Sequence, residues 1–225
     1  VTFPLAPTNP ALPRPKLRAA DIAYDMLESM IVTLVLQPGA PVVEAELVAA
    51  TGLGRTPVRE ALMRMSANGL IVQLPRRGLI VSDIDVAGHL TLLETRRVLE
   101  RLIASSAARR ATAPQRKDMV THGKKMVAAA KKNDLDGYMQ ADQELDHVIH
   151  AACRNPSAVA AVGPLANQCR RFWYAYQHEG DVTEGARCHL VLANAIAEGD
   201  PAGAAAGADA LVDYLESFAR KIIDG

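Results

Sequence analysis

The chain has 225 residues, 49% of them hydrophobic and 22% charged, which excludes a wholly disordered or fibrous protein. Lys plus Arg (25) equals Asp plus Glu (25), so net charge announces no partner and any binding to nucleic acid must be read from local charge. No apolar run approaches the roughly 18 residues of a membrane span, and the start of the chain lacks a signal-peptide pattern, so no membrane partner and a cytoplasmic location are expected.

Residues 1–16 carry Pro4, Pro7, Pro10, Pro13 and Pro15 with almost no apolar periodicity, the composition of a flexible arm. From Ala19 to Leu36, Ile22, Met26, Leu27, Met30 and Ile31 recur at steps of three and four, which predicts an amphipathic helix ended by Pro38-Gly39. A short helix over Glu44–Ala50 is closed by Thr51-Gly52. The run Arg55–Ala67 places Val58, Ala61, Leu62 and Met65 on one stripe, with Pro57 in the first turn, and predicts a third helix ended by Asn68-Gly69. Two β-prone stretches, Leu70–Leu74 and Leu79–Ser82, flank Pro75-Arg76-Arg77-Gly78, whose proline and glycine suit a turn. Beyond Asp83 strand signals vanish. Long periodic stretches broken at Ala113-Pro114, Asn133-Asp134, Asn155-Pro156, Gly180-Asp181 and Gly199-Asp200-Pro201 predict about six helices packed as a bundle. The expected fold is mainly α: an arm (1–16), a winged helix-turn-helix (17–84) and an all-helical domain (85–225).

Three short helices and a hairpin make the winged form of a helix-turn-helix, whose last helix enters the major groove. Between Gly54 and Gly78 stand five arginines (55, 59, 64, 76, 77) and one acid, Glu60, a local excess of four positive charges suited to phosphate. Arg55 and Arg59, four apart, lie away from the Val58/Leu62 stripe, where guanidinium groups reach base edges or phosphates. Thr56 adds a hydroxyl. The alternative, that these arginines form only a solvated face, is weakened by the second basic pair at the hairpin.

The stretch Leu36-Gln37-Pro38-Gly39, Glu44–Leu47, Gly52, Arg55-Thr56-Pro57-Val58-Arg59-Glu60-Ala61-Leu62, Gly69-Leu70 and Arg76-Arg77-Gly78 resembles the winged helix-turn-helix of GntR-family transcriptional regulators. The resemblance implies that Arg55, Thr56 and Arg59 contact operator DNA and that Arg77 and Gly78 approach the minor groove, with Arg76 beside them as a further DNA-binding residue. Gly54 departs from the usual serine at the helix start, at an expected cost of a few tenths of a kcal/mol. The remainder is similar to the FadR-type (FCD) branch of that family through Arg96–Glu100, Asp142–Pro156, His189–Ile196 and Gly199-Asp200. It implies a homodimer that senses a small organic acid and acts as a repressor or activator, repression being favoured.

Periodicity makes an independent point about the bundle. Arg96 shares a stripe with Leu92, Leu99 and Ile103; Asp142 and Asp146 share one with Leu145, Ile149 and Cys153; His189 shares one with Leu192 and Ile196. Ionisable groups on buried faces are costly unless paired or liganded, so a lined polar cavity is expected. Three readings stand. The branch implies a divalent metal (Zn, Ni or Mn type) held by an aspartate and three histidines, with an arginine on the effector carboxylate. Asp142 and His189 match two of those ligands, whereas Asp146 replaces the first histidine and Leu211 the last, which leaves Asp142, Asp146 and His189 as a three-ligand set, with Arg96 on the effector. Alternatively Arg96 neutralises the two aspartates as an interior ion pair with His189 hydrogen-bonded nearby, or the cavity is an effector site without metal. His147 turns away from the stripe and His150 lies at its edge. Arg170-Arg171-Phe172-Trp173-Tyr174 offers aromatics that pack the core, close the pocket or meet the other domain. Cys153, Cys169 and Cys188 show no metal or disulfide spacing and read as reduced packing residues. No H-E-x-x-H and no paired nucleophile and base occur, so no enzyme is expected.

Overall fold

A computed structural model describes residues 18–179 and 181–224; the expected arm over 1–16 lies outside them. The chain opens with α1 (Ala19–Val32), which stops short of Leu36. Leu34 adopts a φ of 58°, and the Leu36 amide turns back to donate to the Met30 carbonyl at 2.9 Å. The reversal therefore satisfies a terminal carbonyl and ends the helix before Pro38 is reached.

α2 (Glu44–Thr51) closes on Gly52 in the left-handed region at φ 66°, and α3 (Arg55–Ala67) follows. β1 (Ile71–Leu74) and β2 (Gly78–Val81) pair antiparallel, Ile71 opposite Val81 and Leu74 opposite Gly78. Residues 39–42 line the far side of β2: Gly39 donates to Val81 at 2.9 Å and Val42 to Leu79 at 2.8 Å. The stripe of α3 meets α1 as its periodicity requires, and Leu27, Ile31, Val58, Ala61, Met65 and Leu70 are fully enclosed in one small core.

Six α-helices follow among the described residues: α4 (His89–Arg110), α5 (Ala113–Lys131), α6 (Leu135–Cys153), α7 (Pro156–Tyr176), α8 (Val182–Glu198) and α9 (Pro201–Asp224). The anticipated breaks are where they change. Thr112 and Gln115 form a capping box on α5, and Asp134, Asn155 and Asp181 accept first-turn amides of α6, α7 and α8. α4 begins at His89, where Asp85 accepts from the Gly88 amide at 2.8 Å and holds the preceding segment as a turn. Arg116 donates to the carbonyls of Ala108, Ala111, Ile196 and Ala197, serving the open ends of α4 and α8 at once. α4 packs on α9, α6 and α7, while α5 packs on α6 and α8. At Gly123 a Cβ would come within 3.2 Å of the Leu190 backbone, so a side chain there would have to move α8 back by a few tenths of an ångström. All three cysteines are buried and unpaired. Among the described residues no helix is long and apolar enough to cross a membrane.

Candidate functional site

On α3, burial of Val58, Ala61, Leu62 and Met65 turns Arg55, Thr56 and Arg59 outward, and all three are exposed. Gly54 starts the helix with no side-chain cap. Arg59 is held by Glu44 of α2, Nε to Oε2 at 2.6 Å; an exposed pair of this kind adds little stability but restricts where the guanidinium points. At the hairpin, Arg77 donates to the Leu74 carbonyl at 3.2 Å, closing a turn with Pro75 and Arg76 at its centre. Arg76 has φ 64° and Gly78 φ 75°, so the turn has the type II pattern with an arginine where glycine is usual. Arg76 and Arg77 are exposed. Of the five arginines counted in this region, Arg64 does not face outward as a free charge. It pairs with Asp21 at 2.9 Å and lies 4.3 Å from the centre of the Tyr24 ring, tying α3 to α1.

Inside the bundle a partly open cleft of about 380 Å³, solvent at its mouth included, is lined by Arg96, Asp142, Arg170 and His189 together with Tyr138, Trp173 and Tyr214. Trp173 stacks on Tyr138 at 5.0 Å and donates through Nε1 to the Tyr214 hydroxyl at 3.1 Å, so the aromatic run of α7 contributes a wall of the cleft. Arg96 is buried, as its stripe demands, but its partner is Glu100, one turn on, at 2.9 Å. The ion pair expected between Arg96 and the two aspartates is instead made by Arg170. Its Nε donates to Asp142 Oδ2 at 2.5 Å, another guanidinium nitrogen reaches Asp146 Oδ2, and the third donates to Asn167 Oδ1 at 3.0 Å.

His189 completes the cluster, with Nε2 3.0 Å from Asp142 Oδ1 and Nδ1 2.8 Å from the Gly185 carbonyl. Burial alone would raise the Asp142 carboxyl, yet Arg170 and His189 hold it below the usual carboxylate range. For His189 burial works against the charge, and the Asp142 carboxylate and Gly185 carbonyl more than offset it and raise the imidazole. Leu211 is buried on α9 and offers no donor atom. Among the described residues no three His, Cys, Asp or Glu side chains gather as a metal-holding group. Asp142 and Asp146 already share a cation, so the residues present do not fit a divalent ion as they stand. His147 is exposed and His150 half-buried; both line a groove between α1 and the bundle rather than the cleft.

The cleft is bonded to the N-terminal head. Asn167, which accepts from Arg170, donates to Glu28 Oε2 on α1 at 2.8 Å, and Gln143 donates to the other Glu28 oxygen at 3.3 Å. Burial pushes the Glu28 carboxyl up, with Arg170 and Asn167 pulling the other way. Arg171, fully buried, donates to the Ser82 hydroxyl at 3.0 Å and to the Ser82 carbonyl, at the exit of β2. Phe172 stacks face to face on His89 at 3.7 Å, and burial drives that imidazole down to about 4 with help from the Arg96 charge.

Comparison with known proteins gives matches on both parts of the chain. The profile of the gntR family of bacterial regulatory proteins matches residues 19–81, and that of the FCD domain matches residues 91–214. The chain is 34% identical over 135 residues to an HTH-type transcriptional regulator from the TAR-I ttuE-ttuC' intergenic region of Agrobacterium vitis, which covers 58% of this chain and 78% of that protein. It is 29% identical over 126 residues to the HTH-type transcriptional repressor RspR of Escherichia coli (strain K12), covering 56% of this chain and only 55% of the repressor. Among solved structures, E. coli McbR/YncC superposes with a TM-score of 0.77 at 16% identity, over 92% of this chain and 100% of that one. At that identity the likeness establishes the fold alone.

Proposed function

Because the chain belongs to the GntR family of bacterial regulatory proteins, with an FCD domain as its bundle, and is therefore a DNA-binding transcriptional regulator and not an enzyme, we propose that it is a ligand-responsive repressor whose bundle senses a small carboxylate. Arg55, Thr56 and Arg59 read the operator from α3, while Arg76, Arg77 and Gly78 meet the backbone or minor groove from the hairpin. Two copies act as a homodimer on paired half-sites. The effector enters the cleft against Arg96, and its binding shifts the population of head orientations that suit the half-sites.

The observation that carries this reading is the cleft itself. Arg96, Arg170 and His189 line a small, partly open cleft walled by Tyr138, Trp173 and Tyr214, and the two guanidinium groups are the side chains there that a carboxylate would meet. The repressor sense is supported by the partial likeness to a relative named a repressor.

The reading is tested by selecting an operator from random duplexes and titrating it in gel shifts at rising salt, alone and with a panel of mono- and dicarboxylates. Affinity should fall steeply with salt and weaken on adding one of the acids. Arg96→Ala should still bind the operator but ignore the acid. Salt-independent binding would remove the DNA assignment, and an unaltered acid response in Arg96→Ala would remove the effector assignment.

A further inference from the structure

Two aspartates one helical turn apart on α6 and a histidine on α8 would make a donor set for a divalent cation, if their lone pairs were free. They are not free. Arg170 reaches across from α7 and bonds Asp142 Oδ2 through Nε and Asp146 Oδ2 through a terminal nitrogen, while Asn167 takes the third nitrogen. All three guanidinium nitrogens thus have acceptors, and the group is fixed as a planar fork rather than swinging as a loose surface charge. It is also nearly enclosed: the Arg170, Asp142 and Asp146 side chains are 12%, 10% and 14% exposed. A divalent ion coordinates carboxylate oxygen at about 2.0–2.2 Å, and to reach these same two oxygens it would have to lie where the guanidinium lies. To sit beside it instead, it would meet a like charge in a site with little water to screen it.

We infer that Arg170 is a built-in cation occupying the place of a divalent metal in this cleft, so that the bundle is assembled and binds its ligand without one. The geometry gives each element a matching role. Arg170 supplies the positive charge that gathers Asp142 and Asp146, and the buried Leu211 has no coordinating task to fail at. The positive charge a ligand meets there then comes from side chains alone, Arg96 and Arg170, each already paired with a carboxylate. That last clause rests on the effector reading above; the occupancy of the site by Arg170 does not.

The experiment uses the tag-free full chain, stripped with chelator and dialysed against Zn²⁺, Ni²⁺ or Mn²⁺, with elemental analysis and thermal melts and no effector present. The wild type should retain well under one ion per chain, and its melting temperature should be indifferent to chelator and to added ion. Arg170→Ala and the bulkier Arg170→Gln, each checked for folding by circular dichroism, free both aspartates. At least one of them should take up about one ion per chain, with a melting temperature raised by about 5 °C in excess metal. Adding Asp142→Asn to that variant should abolish the gain. A wild type that holds one ion per chain overturns the inference, and so does a folded Arg170 variant that acquires none. Neither result touches the acid response of the operator complex, so failure here is distinguishable from failure of the effector reading.

Discussion

The arginines of the two halves of this molecule have opposite surroundings. Arg55, Arg76 and Arg77 in the head are exposed and have no ion-pair partner among the described residues, whereas Arg96, Arg170 and Arg171 in the bundle are buried or nearly so, with acceptors from Glu100, Asp142, Asp146, Asn167 and Ser82. The contrast teaches that a guanidinium is spoken for when the fold supplies its acceptors and available when it does not. On the reading proposed above a duplex supplies the missing acceptors in the head, whereas in the bundle the chain has already provided most of them. Arg59 stands between the two cases, exposed yet steered by Glu44.

The contrast breaks most visibly at Arg170. Arg170→Ala leaves two carboxylates buried without their cation and should destabilise the chain by about 3–5 kcal/mol, whereas Arg55→Ala should leave stability unchanged within about 0.5 kcal/mol. Urea denaturation of both variants decides it, and comparable losses would end the distinction. Next in size is an acid effect within the bundle. His89 is held neutral in the fold, with a pKa of about 4 against an ordinary 6.5, so the stability it contributes is fully present above pH 6.5 and is lost as pH falls toward 4. The loss should reach on the order of 3 kcal/mol. Thermal melts from pH 7 to 4 should show it, with His89→Phe flattening the slope while keeping the stack on Phe172.

In the head, Arg55→Ala and Arg59→Ala should each weaken binding to a selected operator by about 1–3 kcal/mol in gel shifts, and unchanged affinity in both would remove α3 as the reading element. The smallest effect sharpens the comparison most. Arg76→Gly relieves a left-handed non-glycine residue, so fold stability should change by less than about 1 kcal/mol in either direction. Meanwhile the salt dependence of DNA binding should fall by about one counterion. A residue kept in an awkward conformation for its charge should show that trade; a variant with unaltered salt slope would assign Arg76 no phosphate.

Much of this was legible in advance where a local period decided the outcome. The stripe Val58, Ala61, Leu62, Met65 fixes both the buried and the outward face of α3, and the caps and breaks of the bundle sit at the Asn, Asp, Gly and Pro residues that mark them. The apolar period of α1 runs on past its end, because a chain reversal at Leu34 has no compositional signal. Arg64 looked like one more outward charge because its Tyr24 and Asp21 partners lie some 40 residues away. Arg170 was missed for the same reason: it follows Asp142 by 28 residues, and which arginine of the adjacent pair enters the cleft depends on how α7 is turned against α6. A usable hint existed. Val162, Ala166, Cys169 and Trp173 trace the inner stripe of α7, and Arg170 borders it, opposite two interior carboxylates that needed a cation.

Asn167, Arg170 and Arg171 lie within little more than one turn of α7, and their bonds lead to Glu28 of α1, to Asp142 and Asp146 of α6 and to the backbone at the exit of the hairpin. That turn works as an axle pin. Rolling it to loosen one attachment strains the other two, so the three bonds hold or give way together.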